Sequence, residues 1–65
     1  MSKTLFERLK PEVLEKLESN KKNYPMMVEE IFYELKNLHF FTDVKYGIVK
    51  KIELLIEEPI DFLFN

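Results

Sequence analysis

The side chains that could carry out chemistry in this chain are few and widely spaced. They are the hydroxyl groups of Ser2, Thr4, Ser19 and Thr42, and the imidazole of His39. Nucleophilic catalysis requires a hydroxyl or thiol beside a base that a third group holds in place. Two of the four hydroxyl residues stand where a helix cap or a turn uses them. We therefore expect a protein that is not an enzyme.

His39 and the glutamates of the stretch 25–39 have ordinary structural explanations. His39 falls at the end of a predicted helix, where the helix dipole favours a cation. Glu29, Glu30 and Glu34 could supply a carboxylate pair, but first-turn and solvent-facing positions are the usual use of glutamate in helices. The sequence contains one histidine and no cysteine, which makes a zinc site improbable. We expect neither a cofactor nor a metal.

Length and composition predict a single small domain that spans residues 1–65. A chain this short buries only about 60% of the surface that its unfolded form exposes, so dense aromatic packing or self-association must strengthen the core. Both are available, because 46% of the residues are hydrophobic and the chain contains six phenylalanines and three tyrosines. We expect a tightly packed monomer or a homodimer.

Charge and hydropathy indicate a cytoplasmic protein. The net charge is −2, and acidic and basic residues are interleaved without a polybasic arm. No run approaches the roughly 20 apolar residues of a membrane span, and the first residues lack a signal core. Lys, Ile, Asn, Phe and Glu are frequent while Ala and Trp are absent. This bias is typical of AT-rich coding sequences and indicates a low-GC bacterium, or its phage or plasmid.

The stretch 25–39 predicts the central helix of the domain. Asn23 stands at the N-cap position, and Pro25 suits the first turn because its missing N–H leaves no hydrogen bond unmade there. Tyr24 and Met27 extend the apolar side of this helix. That side consists of residues at the i, i+3, i+4, i+7 spacing of one helical face, namely Val28, Ile31, Phe32, Leu35 and Leu38.

The first twenty residues predict a helix that Pro11 interrupts. Thr4 and Glu7 form a capping-box pattern, which starts the helix near Leu5. Pro11 disfavours helical geometry at Lys10, so we expect either two short helices, 4–10 and 11–20, or one kinked helix. The apolar face of this region comprises Phe6, Leu9, Val13, Leu14 and Leu17.

The segment 44–56 predicts a third helix, which Pro59 ends. We expect Phe40 and Phe41 to form a tight buried turn before it, with Thr42 or Asp43 as its N-cap. Gly47 and the β-branched residues make a strand over 44–49 the rival interpretation. The longer stripe favours a helix and comprises Val44, Ile48, Val49, Ile52, Leu55 and Ile56. The predicted fold is all-α: a small three-helix bundle, with the first helix broken near Pro11, closed by an extended or short helical C-terminal segment.

Basic residues of the third helix suggest a nucleic-acid hypothesis, because helix-turn-helix DNA-binding domains are also built from a few short packed helices. The central helix is acidic and would be repelled by phosphates. Lys45, Lys50 and Lys51 could form a modest basic patch together with Tyr46. A solvated helix face explains the same residues, and the overall acidity favours that explanation.

Apolar residues outside the predicted core stripes are the most informative feature. Met26 and Tyr33 lie opposite the main stripe of the central helix, and Tyr46 and Leu54 lie outside the stripe of the third. The C-terminal segment adds further apolar residues that either fold back onto the core or remain exposed for docking. We predict that a partner contacts Met26, Tyr33, Tyr46, Phe62 and Phe64.

These observations favour a non-enzymatic protein-binding module over the other classes. It would be a small regulator or inhibitor that occludes a partner protein through an apolar and aromatic patch. The amino-acid usage typical of AT-rich coding sequences is compatible with a phage or mobile-element origin. The alternative is a small DNA-binding transcriptional regulator that uses Lys45, Lys50 and Lys51. A third interpretation is a structural subunit of an assembly.

Overall fold

The computed structural model describes residues 3–59 and 63–64, and within these ranges the chain forms four α-helices and one 3₁₀ turn. The 3₁₀ turn spans Phe41–Asp43 and precedes the last helix. The predicted all-α class is confirmed, and the rival strand over 44–49 is wrong. Phe62, one of the predicted contact residues, lies outside the described residues. The helices are α1 (Leu5–Arg8), α2 (Pro11–Ser19), α3 (Pro25–Lys36) and α4 (Tyr46–Ile56).

The first two helices are separated by two extended residues. The predicted capping box is confirmed: the Glu7 amide donates to Thr4 Oγ1 at 3.3 Å, and the Thr4 amide donates to Glu7 Oε1 at 3.1 Å. Leu9 and Lys10 then adopt extended backbone angles. Because a residue that precedes proline is driven out of the α region, α2 begins anew at Pro11. Of the two predicted outcomes, the structure has two short helices.

The caps of α3 and α4 differ from the predicted ones. The N-cap of α3 is Tyr24 rather than Asn23, because Pro25 occupies the first helical turn and holds the preceding residue outside the helix. The N-cap of α4 is Lys45, without a side-chain cap. Thr42 and Asp43 cannot serve this helix because they belong to the 3₁₀ turn, where the Asp43 amide donates to the Phe40 carbonyl at 3.0 Å.

One apolar cluster forms the core, and it draws on every predicted stripe. Among the described residues, no polar or charged side chain is buried. The rings of Phe6 and Phe32 pack edge to face with centroids 5.1 Å apart, which links α1 to α3. The buried members are Leu5, Leu9, Val13, Leu17, Val28, Ile31, Phe32, Leu35, Ile48, Ile52, Ile56 and Leu63.

Three aromatic residues predicted to be buried are exposed. Phe40 and Phe41 were expected in a buried turn, and Tyr24 was expected on the core side of the central helix, but all three side chains are exposed to solvent. The 3.6-residue repeat holds only inside a helix. Tyr24 is an N-cap with a non-helical conformation, and Phe40 precedes the 3₁₀ turn, so helical spacing does not determine where either side chain lies.

Three helix pairs make the main contacts between the helices. α1 packs on α3, α2 packs on α4, and α3 packs on α4. The two short N-terminal helices therefore pack on different members of the α3–α4 pair.

No helix within the described residues is both long enough and apolar enough to cross a membrane.

Candidate functional site

Each of the two longest helices, α3 and α4, presents a row of exposed side chains on the side that faces away from the core. On α3 the row is Met26, Glu30 and Tyr33, and on α4 it is Tyr46, Lys50 and Leu54. The four apolar members are largely exposed: Met26 by 85%, Tyr33 by 72%, Tyr46 by 73% and Leu54 by 69%. We call these six residues the outer face.

Helix periodicity explains why each row faces away from the core. Met26 and Tyr33 are seven residues apart and so fall on one face of α3, opposite the buried Ile31 and Leu35. On α4 the residues of the outer row are spaced four apart. The opposite face of the helix supplies buried isoleucines to the core. The same burial that holds α3 and α4 together therefore forces their remaining apolar side chains outward.

A shallow groove lies between α3 and α4. One part is lined by Glu34, Gly47 and Ile48 together with Glu30 and Lys51, and a neighbouring part brings in Met26 and Met27. Glu30 and Lys51 line both parts and form an ion pair across the groove. The groove therefore has an acidic wall on α3 and a basic wall on α4.

Two of the three lysines of the nucleic-acid hypothesis pair with glutamates. Lys51 pairs with Glu30, and Lys50 pairs with Glu53 at 3.7 Å. The Lys50 ammonium lies 5.2 Å from the centroid of the Tyr46 ring. The hydroxyl of Tyr46 and then the carboxylate of Glu53 raise the pKa of Lys50 above its ordinary value. Partial neutralisation by glutamates weakens the attraction that these lysines offer to phosphates.

Phe64 lies apart from the other predicted contact residues. It forms an isolated antiparallel bridge with Leu9, at the α1–α2 junction, and its ring centroid lies 6.1 Å from that of Phe41. The side chain is half-buried against the core. The structure therefore leaves Met26 and Tyr33 exposed on α3 and Tyr46 exposed on α4, whereas Phe64 packs against Leu9 and Phe41.

Leu54 is a member of the outer face that was absent from the predicted contact residues. Its position outside the α4 stripe was visible in the sequence, and its high exposure follows from that position. Phe40 is a second exposed aromatic residue, but it belongs to a loop and not to a row. No sequence signal distinguishes an exposed from a buried phenylalanine in an irregular segment.

His39 contacts two residues of the N-terminal part of the chain. His39 places Nδ1 3.1 Å from the carbonyl oxygen of Lys3, and its own carbonyl accepts a hydrogen bond from Arg8 Nη1 at 3.4 Å. These contacts connect the loop after α3 to α1. Within residues 3–59 and 63–64, no cluster of three or more His, Cys, Asp or Glu side chains is arranged to hold a metal ion.

Comparison of the chain with protein-family models, with curated proteins and with solved structures gave no match, so no related protein indicates what the outer face binds.

Proposed function

We propose that this chain is a non-enzymatic, cytoplasmic protein-binding module, a small regulator or inhibitor that occludes the surface of a partner protein. The observation that supports the proposal is the outer face, where four large apolar side chains are exposed on two adjacent helices. Single exposed apolar residues are normal on soluble proteins, but several large ones on two adjacent helices are typical of an interaction site.

The types of these side chains suit binding. Tyrosine presents a large rigid surface with a polar tip, and methionine adapts its shape to irregular partners. Aromatic residues and methionine are enriched at interfaces, and a few of them supply most of the affinity. Burial of apolar surface contributes about 25 cal/mol per Å², from which the cost of ordering both partners is subtracted. Tyr33 and Tyr46 are therefore the expected anchors of the contact.

The proposal includes a rigid scaffold beneath the face. We infer a three-helix bundle of α2, α3 and α4, in which the short α1 and the C-terminal segment close the core. A binding surface on packed helices changes little when a partner docks. The buried Ile31 and Ile52 hold the two outer helices on a common core. A partner would therefore meet a preformed surface.

Affinity capture from a native lysate tests the proposal. The wild-type chain is compared with the double variant Tyr33→Ala plus Tyr46→Ala, which removes both anchors. Phe40→Ala is the matched control because it removes a similarly exposed aromatic ring from outside the outer face. We expect the double variant to lose a partner that wild type and control both retain. Retention of every partner by the double variant would contradict the proposal.

DNA binding remains the alternative proposal. The exposed first turn of α4 favours it, because Lys45 is the N-cap and Lys50 follows in the next turn. The pairing of Lys50 and Lys51 with glutamates weighs against it. A gel-shift experiment at low salt tests whether the chain binds DNA, since contacts between lysines and phosphates are strongest at low salt. Absence of binding at low salt would eliminate this alternative.

A further inference from the structure

We propose that a cleft located where α2 and α4 end and α3 begins binds an arginine side chain of a partner protein. The cleft shares Leu54 with the outer face and is otherwise separate from it, so the inference goes beyond the proposed function. Its volume is about 270 Å³. Pockets for whole small molecules usually measure about 300–1,000 Å³, so this cleft suits a single side chain. Among the described residues, the cleft is lined by Asn20, Tyr24, Leu54, Leu55 and Glu57.

Three helix caps bring these residues together. Asn20 is the C-cap of α2, Tyr24 is the N-cap of α3, and Glu57 is the C-cap of α4. The side-chain Nδ2 of Asn20 donates to the carbonyl oxygen of Leu55 at 3.4 Å and to that of Lys16 at 2.8 Å. Asn20 therefore joins the end of α2 to the end of α4 and holds one wall of the cleft in place.

The polar groups of the cleft are mainly hydrogen-bond acceptors. Both partners of Asn20 Nδ2 are carbonyl oxygens, so the amide orientation is determined and Oδ1 is left as an acceptor. The last carbonyl groups of a helix lack intrahelical partners and carry partial negative charge, and both α2 and α4 end here. The carboxylate of Glu57 adds a full negative charge. The cleft therefore attracts a cation that carries several N–H donors.

The charge in the cleft is not neutralised within the described part of the chain. The Glu57 carboxylate forms no ion pair there, whereas the adjacent Glu58 pairs with Lys16 at 2.9 Å. Lys21, which follows Asn20 in the sequence, pairs with Glu29 at 2.9 Å. No basic side chain lines the described part of the cleft. Electrostatic complementarity therefore favours a cation supplied by a partner.

The backbone conformation of Glu57 supports a binding role for its side chain. Its φ of 55° lies in the left-handed region, where glycine or asparagine usually ends a helix. Residues held in such sparsely populated conformations concentrate at binding and catalytic sites. Helix capping alone does not explain a glutamate here, whereas binding of a cation does.

Arginine fits the cleft better than the other basic side chain. Tyr24 and Leu54 are exposed by 49% and 69%, so both can cover the apolar stem of a long side chain. The guanidinium group is planar, stacks on aromatic rings and presents five N–H donors. These properties match a tyrosine ring beside carboxylate and amide acceptors. Lysine offers three donors on a compact ammonium that does not stack in this way.

NMR titration of the full chain with three capped tripeptides tests the site. The ligand is acetyl-Gly-Arg-Gly-amide. A citrulline analogue keeps the shape of the side chain without its charge, and a norleucine analogue keeps only an apolar stem. We expect the arginine peptide to shift the amide signals of Asn20, Tyr24 and Glu57 with a dissociation constant on the order of 1–10 mM, because a single side chain makes the contact. The other two peptides should bind at least about threefold more weakly.

Variants of the chain assign the binding to the cleft. Glu57→Gln should raise the dissociation constant of the arginine peptide about threefold to tenfold, because it removes the charge and keeps the shape. Tyr24→Leu should raise it about threefold, because it keeps an apolar wall and removes the ring. Glu15→Gln is the matched control: it removes an exposed carboxylate of α2 that does not line the cleft, and it should leave the affinity unchanged. The spectrum of each free variant verifies that the variant is folded.

Several results would overturn this inference. They are the absence of shifts at the cleft amides, equal binding of the arginine and citrulline peptides, and equal affinities of Glu57→Gln and Glu15→Gln. Tighter binding of the norleucine peptide would show that an apolar side chain is the occupant instead. The proposed function fails separately, because its capture experiment removes Tyr33 and Tyr46, which do not line the described part of the cleft.

Discussion

The backbone amide of Lys10 donates a hydrogen bond to the carbonyl oxygen of Leu63 at 2.9 Å. Next to this bond, Leu9 and Phe64 form an antiparallel bridge. The Leu63 side chain is fully buried in the apolar cluster. The extended residues between α1 and α2 therefore contact the C-terminal residues through both backbone and side chain.

Leu63→Ala should lower the free energy of unfolding by about 3 kcal/mol, because it deletes buried methyl groups and leaves a cavity. Phe40→Ala is the control: it removes more atoms, yet from a ring that is 66% exposed, so it should change stability by less than about 0.5 kcal/mol. Urea denaturation measures both values. Equal effects of the two substitutions would show that Leu63 contributes nothing specific to the core.

Gly47→Ala should stabilise the monomer by about 0.5–1 kcal/mol. Gly47 lies in the first turn of α4, and an added methyl group meets no atom within 4 Å, so the substitution reduces only the freedom of the unfolded chain. For a domain of this size a gain of 1 kcal/mol corresponds to about 4–8 °C in Tm. Thermal unfolding of dilute protein measures it. An unchanged or lower Tm would contradict the open environment of this glycine.

Glu57→Gly should raise stability by about 0.5 kcal/mol, because Glu57 ends α4 in the left-handed conformation with φ 55°. Glycine adopts this conformation without steric conflict between Cβ and the backbone. Glu15→Gly, in the interior of α2, should instead cost about 1 kcal/mol. Chemical denaturation of the two variants should thus give changes of opposite sign, and a destabilised Glu57→Gly would refute the argument from strain.

The capping box predicts a specific dependence of stability on pH. Hydrogen bonds from Thr4 lower the pKa of Glu7 below its ordinary value of 4.5. A carboxylate with a lowered pKa in the folded state stabilises the fold above its unfolded pKa, and this stabilisation is lost as pH falls through the folded pKa. Glu7→Gln lacks the charge, so its stability deficit relative to wild type should shrink when pH falls below 4.5. NMR titration of Glu7 measures the pKa directly, and a value at or above 4.5 would contradict the prediction.

Helical periodicity predicted the core because burial on a packed helix follows the geometry of the helix. Val28, Ile31 and Leu35 are buried as their spacing indicates, and Ile48 and Ile52 behave in the same way. The start points of α3 and α4 were less predictable. Several adjacent residues can cap a helix equally well, and tertiary contacts and the nearest turn decide among them.

The outer face was partly predictable for the same reason. The exposure of Met26, Tyr33 and Tyr46 follows from positions opposite or beside the core stripes. The pairing of Glu30 with Lys51 could not be predicted from helical positions. These residues are 21 positions apart in the sequence and meet only when α3 and α4 pack. The contacts of Phe64 with Leu9 and Phe41 were not predictable either, because short-range patterns do not determine where an irregular segment docks.

The described part of the core contains no buried charged or polar side chain. The stability of the fold therefore depends on apolar packing, and the charged side chains lie at the surface. The ion pairs Lys16–Glu58 and Lys21–Glu29 are exposed and contribute little to stability. High ionic strength should therefore leave the fold intact, although it screens the electrostatic interactions between charged groups at the surface. Because the apolar core is separate from these charged groups, the exposed sides of α3 and α4 are a site for redesign, where residues can be exchanged to accept a new target without repacking the interior.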